Sequence, residues 1–138
     1  MIALAKSRNT YDQLILNDIT SYLESCLDSS IDALVASDVF IYIGDLEQVF
    51  SLSSKVISTG GLLVFTLEEL TNRVSLNLNS NRDYFLLSCG RFGHSRGYID
   101  RLAARHGFVI EKCSNDILRT QGDLPVKSLT VVLSKKSF

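Results

Sequence analysis

The sequence has almost no net charge: 14 basic residues against 15 acidic ones in 138, a balance of −1. That leaves no electrostatic reason for a nucleic-acid or anionic-membrane partner. No stretch approaches the ~20 apolar residues of a membrane span. The start, "MIALAKSRNTYD", has neither a long apolar run nor a small-residue cleavage site, so no secretory signal is expected. Cysteine is scarce and odd in number (Cys26, Cys89 and Cys113), which suits neither a disulfide framework nor a zinc site. Reduced thiols in a cytoplasmic protein are the simple reading. Proline occurs once, at Pro125, and none of the eight glycines precedes Gly44.

What is present fits one soluble domain over residues 1–138. Apolar residues make up 46% and charged ones 21%, ordinary globular values. Residues 1–8 carry apolar positions suited to one or two helical turns. "QLILN" (13–17) reads as a short buried strand, and 19–27 as a short helix with Asp18 or Thr20 near its N-cap. A second strand spans 32–37. Behind Asp45, a good N-cap, Leu46, Val49, Phe50, Ser53, Val56 and Ile57 follow helical spacing. That helix stops at "STGG", where Gly60 or Gly61 can take the left-handed conformation of a helix terminus. "LLVFTL" (62–67) is continuous enough for a strand buried on both faces. Residues 68–93 form a long excursion with a strand near 84–88. Ser95 then caps a helix bearing Ile99, Leu102, Ala103 and His106, and Gly107 ends it. "FVIEKC" and "SLTVVLSKK" are two further strands, joined by a connector over 114–127 and paired antiparallel. The alternation predicts an α/β fold: a mostly parallel sheet with flanking helices and a C-terminal antiparallel hairpin.

Asp38 follows a buried strand at its carboxyl end, where open α/β sheets hold ligands. The plainer role for such an acid is to cap the next turn. Tyr42 reads as core. Arg91, Arg96, Arg101 and Arg105 gather within fifteen positions and read as a solvated face. In "GRFGHSRGY", His94 follows the excursion and precedes a helix. Histidine suits proton transfer near neutrality, while a capping or surface role is the plain alternative. His106 reads as a helix-end residue that complements the dipole. Neither histidine has a carboxylate at a spacing that forces a dyad.

Taken together, "YDQLILNDITSYL", "IDALVASDVFIYIGDLEQVFSLSSKVISTGGLLVFTLE", "GRFGHSRGYIDRLAARHGFVIE" and "SLTVVLSKK" resemble the C-terminal two-thirds of class I S-adenosylmethionine-dependent methyltransferases. The nearest group is one of predicted methyltransferases often found with tetratricopeptide repeats. The order and spacing of the segments carry the likeness. It implies a Rossmann-like fold lacking its first two strands and, in intact relatives, transfer of a methyl group from S-adenosylmethionine to an unknown acceptor, with a small-molecule substrate one candidate partner. By the same likeness, Asn17, Asp18 and Ile19 stand beside the adenine. Ser37, Asp38 and Val39 line the methionine end of the cofactor, and His94 is the candidate catalytic base. No metal is implied.

The chain departs from the family at its front. The family's glycine-rich loop and its ribose-binding acid have no counterpart, so cofactor binding by this chain alone is expected to be weak or absent. "STGG" replaces a basic-Pro-Gly-Gly turn. Loss of the central strand opens an apolar edge beside 32–37. Three outcomes follow: strand 13–17 moves in, two copies pair as a homodimer, or a separate N-terminal polypeptide complements the sheet. The alternative function is a non-catalytic remnant acting as a self-association or partner-binding module.

Overall fold

The computed structural model describes residues 1–70 and 82–137. Helices α1 (Ile2–Arg8) and α2 (Ile19–Ser25) precede strand β1 (Ile31–Ala36) and a 3-10 turn at Phe40–Tyr42. Helix α3 (Glu47–Val56) runs directly into β2 (Ile57–Glu69). Short strands β3 (Tyr84–Leu86) and β4 (Phe92–His94) lead to α4 (Arg96–Arg105). The long strands β5 (Phe108–Gln121) and β6 (Leu124–Lys135) close the chain.

Strand β2 organises the sheet. It pairs in parallel with β1 along its first half and with β4 at Glu68 and Glu69. Its other edge pairs antiparallel with β6, which in turn pairs antiparallel with β5. β3 is antiparallel to β4. The architecture is α/β with the C-terminal hairpin anticipated from sequence, but the sheet is mixed rather than mostly parallel. The cause is the hairpin itself, whose β6 lies against β2 and contributes two antiparallel ladders.

The core forms where the stripes of α3 and α4 meet one face of this sheet. Val49, Phe50, Ser53 and Val56 of α3 are buried, as are Tyr98, Ile99, Leu102 and Ala103 of α4. They pack with Leu63, Phe65 and Leu67 of β2 and Leu129, Val131 and Leu133 of β6. Each fully buried side chain of this size stabilises the fold by roughly 1.5–3 kcal/mol. Phe50 sits at the centre, edge-on to Phe65 (5.7 Å between ring centroids) and to Phe108 (6.1 Å). The opposite face of β2 is half open at Leu62, 37% exposed, and closed at Thr66 and Glu68. Burial on both faces therefore holds for the carboxyl half of 62–67 only.

Several local expectations are corrected. Residues 13–17 are not a strand: Leu16 is 88% exposed and the segment joins no ladder. An apolar run becomes a strand only where a partner edge meets it, and here β1 pairs with β2 instead. "STGG" is not a helix cap. Gly60 has φ 78°, but it lies inside β2, where the register with β1 jumps between Ile31–Ile57 and Ala33–Leu62. That irregularity uses glycine's freedom as a bulge. The connector 114–127 is largely strand, with Pro125 opposite Thr120. The excursion 68–93 holds β3 and β4, and its residues 71–81 lie outside the described residues. Tyr42 is 65% exposed, because the 3-10 turn sends Phe40 and Ile41 inward and Tyr42 out.

Candidate functional site

The parallel pair β1–β2 ends in a polar cluster. β1 stops at Ala36, and Ser37, Asp38 and Val39 follow, all exposed. Asp38 adopts φ 54°, a left-handed backbone that Asp tolerates better than most side chains. Its backbone N–H donates to Thr66 Oγ1 at 2.9 Å. Thr66 belongs to β2, so this bond ties the turn after β1 to the neighbouring strand. Two residues further along β2, the Glu68 carboxylate pairs with the Arg91 guanidinium. Glu68 keeps 6% of its side chain exposed and Arg91 17%. Glu68 holds the Arg91 guanidinium above its ordinary value.

Asn17, Asp18 and Ile19 lie at the start of α2. Asp18 is its N-cap, and its carboxylate accepts from Ser21 N (2.9 Å), Ser21 Oγ (2.7 Å) and Thr20 Oγ1 (2.7 Å). These bonds, those of Ser21 foremost, hold the carboxyl down to about 2. Asn17 Oδ1 accepts from the Asp18 N–H. Ile19 is half-buried and packs against the core.

His94 lies on β4 with its ring fully enclosed. Nε2 stands 2.9 Å from Ile43 O and 3.0 Å from Gly44 O, while Nδ1 has no hydrogen-bond partner among the described residues. Burial outweighs these bonds and holds its pKa below the ordinary 6.5. The ring stacks on Tyr98 at 6.3 Å with 9° between planes, and Tyr84 lies 6.2 Å away. The sequence placed His94 near the right elements but not its depth.

Thr66 and Glu68 escaped the sequence reading, which placed Arg91 on a solvated face. A pair of acids closing an apolar strand ("FTLEE") was the available signal, since a carboxylate left inside a sheet needs a cation. Three of the four arginines do lie on a solvated face of α4, where Arg96 pairs with Asp100, Arg101 with Asp83 and Arg105 with Glu47; Arg91 alone departs, mostly buried against Glu68. His106 does meet a carboxylate, Glu47, at 2.8 Å. The cysteines are free thiols. No group of three or more metal-binding side chains occurs among the described residues. No described helix is long and apolar enough to cross a membrane. An open depression of about 440 Å³ lies between α3 and α4, where Arg101 and Arg105 are already paired.

No family model and no curated protein matches the sequence. The fold does match solved structures. A S-adenosylmethionine-dependent methyltransferase of Methanosarcina mazei superposes with a TM-score of 0.73 at 15% identity, covering 99% of this chain and 78% of its own. A chain from the Haloferax volcanii complex between the Trm112 methyltransferase activator and a methyltransferase gives 0.70 at 13%, covering 99% and 68%. The geranyl diphosphate C-methyltransferase of Streptomyces coelicolor, solved with Mg2+, geranyl diphosphate and S-adenosyl-L-homocysteine, gives 0.55 at 15%, covering 80% and 49%. The chain has the class I methyltransferase fold.

Proposed function

We propose that this chain is a methyltransferase-type domain that holds one side of S-adenosylmethionine at the carboxyl edge of β1 and β2. Ser37, Asp38 and Val39 face its methionine end, and Asn17, Asp18 and Ile19 its adenine. The observation that supports this best is the likeness over 99% of the chain to a S-adenosylmethionine-dependent enzyme. The residues present fit one wall of the cofactor. The Asp18 carboxylate accepts three hydrogen bonds and has room for about one more, enough for an exocyclic amine. Asp38 stands exposed at a strand end, with its backbone fixed by Thr66. When bound, the cofactor supplies the activated methyl group, and the chain's part is to hold and orient the reactants. The acceptor is a small molecule presenting a nucleophilic oxygen, nitrogen or carbon. A base role for His94 requires the turn at Ile43 and Gly44 to open, because Nε2 is engaged and Nδ1 enclosed.

Residues 1–43 contain no glycine and so no glycine loop of the kind that lets a backbone approach a ribose closely, and weak binding by the residues described is the expectation. Calorimetric titration with S-adenosylhomocysteine tests this. A Kd of about 1 mM, near −4 kcal/mol, weakened further by Asp38→Asn, is the expected result. Low-micromolar affinity overturns the weakness, and no effect of Asp38→Asn overturns the site.

A second reading is favoured by the outer edge of β1. Among the described residues β1 pairs with β2 alone, and Val35 is 69% exposed. Unpaired apolar edges invite another chain. A second copy or a separate N-terminal polypeptide completes the sheet in this reading, and the domain serves as a binding module. The Haloferax complex shows that a chain of this fold occurs with an activator. Light scattering that gives a monomer mass up to 100 µM excludes self-association.

A further inference from the structure

We propose that His94 is a positioning residue: as a neutral Nε2–H imidazole it pins the Ile43–Gly44 turn, and through that turn it sets residues 37–42 at the carboxyl edge of β1. The geometry carries this on its own, and only the meaning given to residues 37–39 rests on the methyltransferase reading.

Two carbonyl oxygens face one ring nitrogen, at 2.9 and 3.0 Å. Carbonyls only accept, so Nε2 carries the proton and divides it between Ile43 O and Gly44 O. The ring is wholly buried, and among the described residues Nδ1 has no acceptor for a second proton. The neutral ring is therefore the form this enclosure holds, in line with burial lowering the ring's pKa.

The pinned turn is fastened on several sides. Leu46 N–H donates to the Tyr98 hydroxyl at 2.9 Å, and that hydroxyl donates to Asp45 Oδ1 at 3.1 Å. Gly44 is pressed so closely on β3 and β4 that a Cβ there meets Phe92 Cε1 at 2.8 Å and the Tyr84 ring at 3.0 Å. Toward the crevice, Ile43 N–H donates to Phe40 O and Tyr42 N–H to Val39 O. A short ladder of backbone bonds thus runs from the imidazole to the residue after Asp38.

Protonation adds a buried cation with no counter-charge bonded to it among the described residues. Titratable groups occur on every surrounding element: Tyr84 and Asp83 at β3, Tyr98 on α4, Asp45 in the turn and Glu69, in register with His94 on β2. None of them bonds to Nδ1. Asp45 is occupied by Tyr98 and by the Glu47 N–H. Relief comes from releasing the turn, so the shape of the β1 edge depends on pH below neutrality.

Long-range nitrogen–proton NMR of the imidazole and amide exchange at Tyr42, Ile43 and Leu46 test this in the unmodified chain, His94→Gln and His94→Phe. The wild-type ring reads as Nε2–H at pH 7.5 and titrates below 6.5. Protection of the three amides falls between pH 7.5 and 5.5, by up to about tenfold, an opening cost of at most about 1.4 kcal/mol. His94→Gln offers a non-titrating N–H donor and keeps protection within about threefold at both pH values. His94→Phe fills the ring space without a donor and loses about tenfold already at pH 7.5. A Nδ1–H or cationic ring at pH 7.5 overturns the proposal, as does wild-type protection in His94→Phe. Should His94→Phe not fold, a pH response in His94→Gln equal to that of the wild type overturns it. These readouts need neither ligand nor turnover, so absent cofactor binding leaves them intact.

Discussion

The Arg91 guanidinium closes on the Glu68 carboxylate at the carboxyl end of β2, where only 17% and 6% of the two side chains remain exposed. A charge removed from water this far depends on its partner. Arg91→Met takes from the buried Glu68 carboxylate the guanidinium that pairs with it. We expect a loss of about 3 kcal/mol, the lower end for a buried pair because the guanidinium keeps some contact with water. The double variant Glu68→Leu with Arg91→Met recovers most of that loss, because the buried carboxylate is removed together with its guanidinium. Urea midpoints of the three variants check this. Equal destabilisation by the single and double changes refutes the pairing as the cause.

Thr66 links β2 to the turn after β1. Its hydroxyl accepts from the Asp38 N–H at 2.9 Å, and the side chain is almost wholly buried. Thr66→Val keeps the shape of the strand and removes the acceptor. The expected cost is about 1 kcal/mol, with a selective loss of amide protection at Asp38. Uniform loss across β2 instead marks a general packing defect.

The sequence made α3 and α4 legible because an amphipathic stripe and a short polar cap are local signals. Ser95 does cap α4, its Oγ accepting from the Tyr98 N–H, whereas the N-cap of α3 is Leu46 rather than Asp45, which lies one residue earlier and whose Oδ1 accepts from the Glu47 N–H. Strands depend on partners that the local sequence does not name. "QLILN" has strand composition and stays outside the sheet, while the polar stretch 114–121 and the proline-bearing 124–127 form a two-stranded ribbon. Pro125 fits there because this end of β6 lies beyond its ladder with β2, which stops at Ser128, so its missing N–H costs no third-strand bond. At the site, Asp38 and His94 were visible as residue types in suggestive places. The carbonyls of Ile43 and Gly44 were not, since backbone acceptors some fifty residues away carry no sequence mark.

Gly61 is required by close approach rather than by φ. A Cβ there meets Asp32 O and Ser58 O at 2.8 Å and Ile57 Cγ2 at 2.6 Å. Two of these contacts are backbone and cannot swing aside. Gly61→Ala therefore pushes β2 from β1 at the bulge and costs about 1–3 kcal/mol. Gly60, with open space around its Cα, tolerates a left-handed Asn with a smaller change. Thermal midpoints of Gly61→Ala and Gly60→Asn should fall in that order, and the reverse order argues against strand approach as the constraint.

Asp18 makes acid sensitivity readable at one helix end. Its carboxyl sits at about 2 in the folded chain against an ordinary 3.8, mainly through Ser21 and then Thr20. An acid depressed by folding binds fewer protons in the native than in the unfolded state. Its stabilising contribution is complete above about pH 4 and is lost as pH falls toward 2. Serine at this position still caps α2 but does not titrate. Asp18→Ser should lower the urea midpoint slightly at pH 5 and lose less than the wild type on going to pH 2.5. Some acid dependence persists, because Asp116 is also held down by Ser114 and Thr130. The position is exposed, so added salt should shrink the difference at the helix dipole. Identical midpoint shifts in wild type and Asp18→Ser between pH 5 and 2.5 rule out Asp18 as a source of the acid sensitivity.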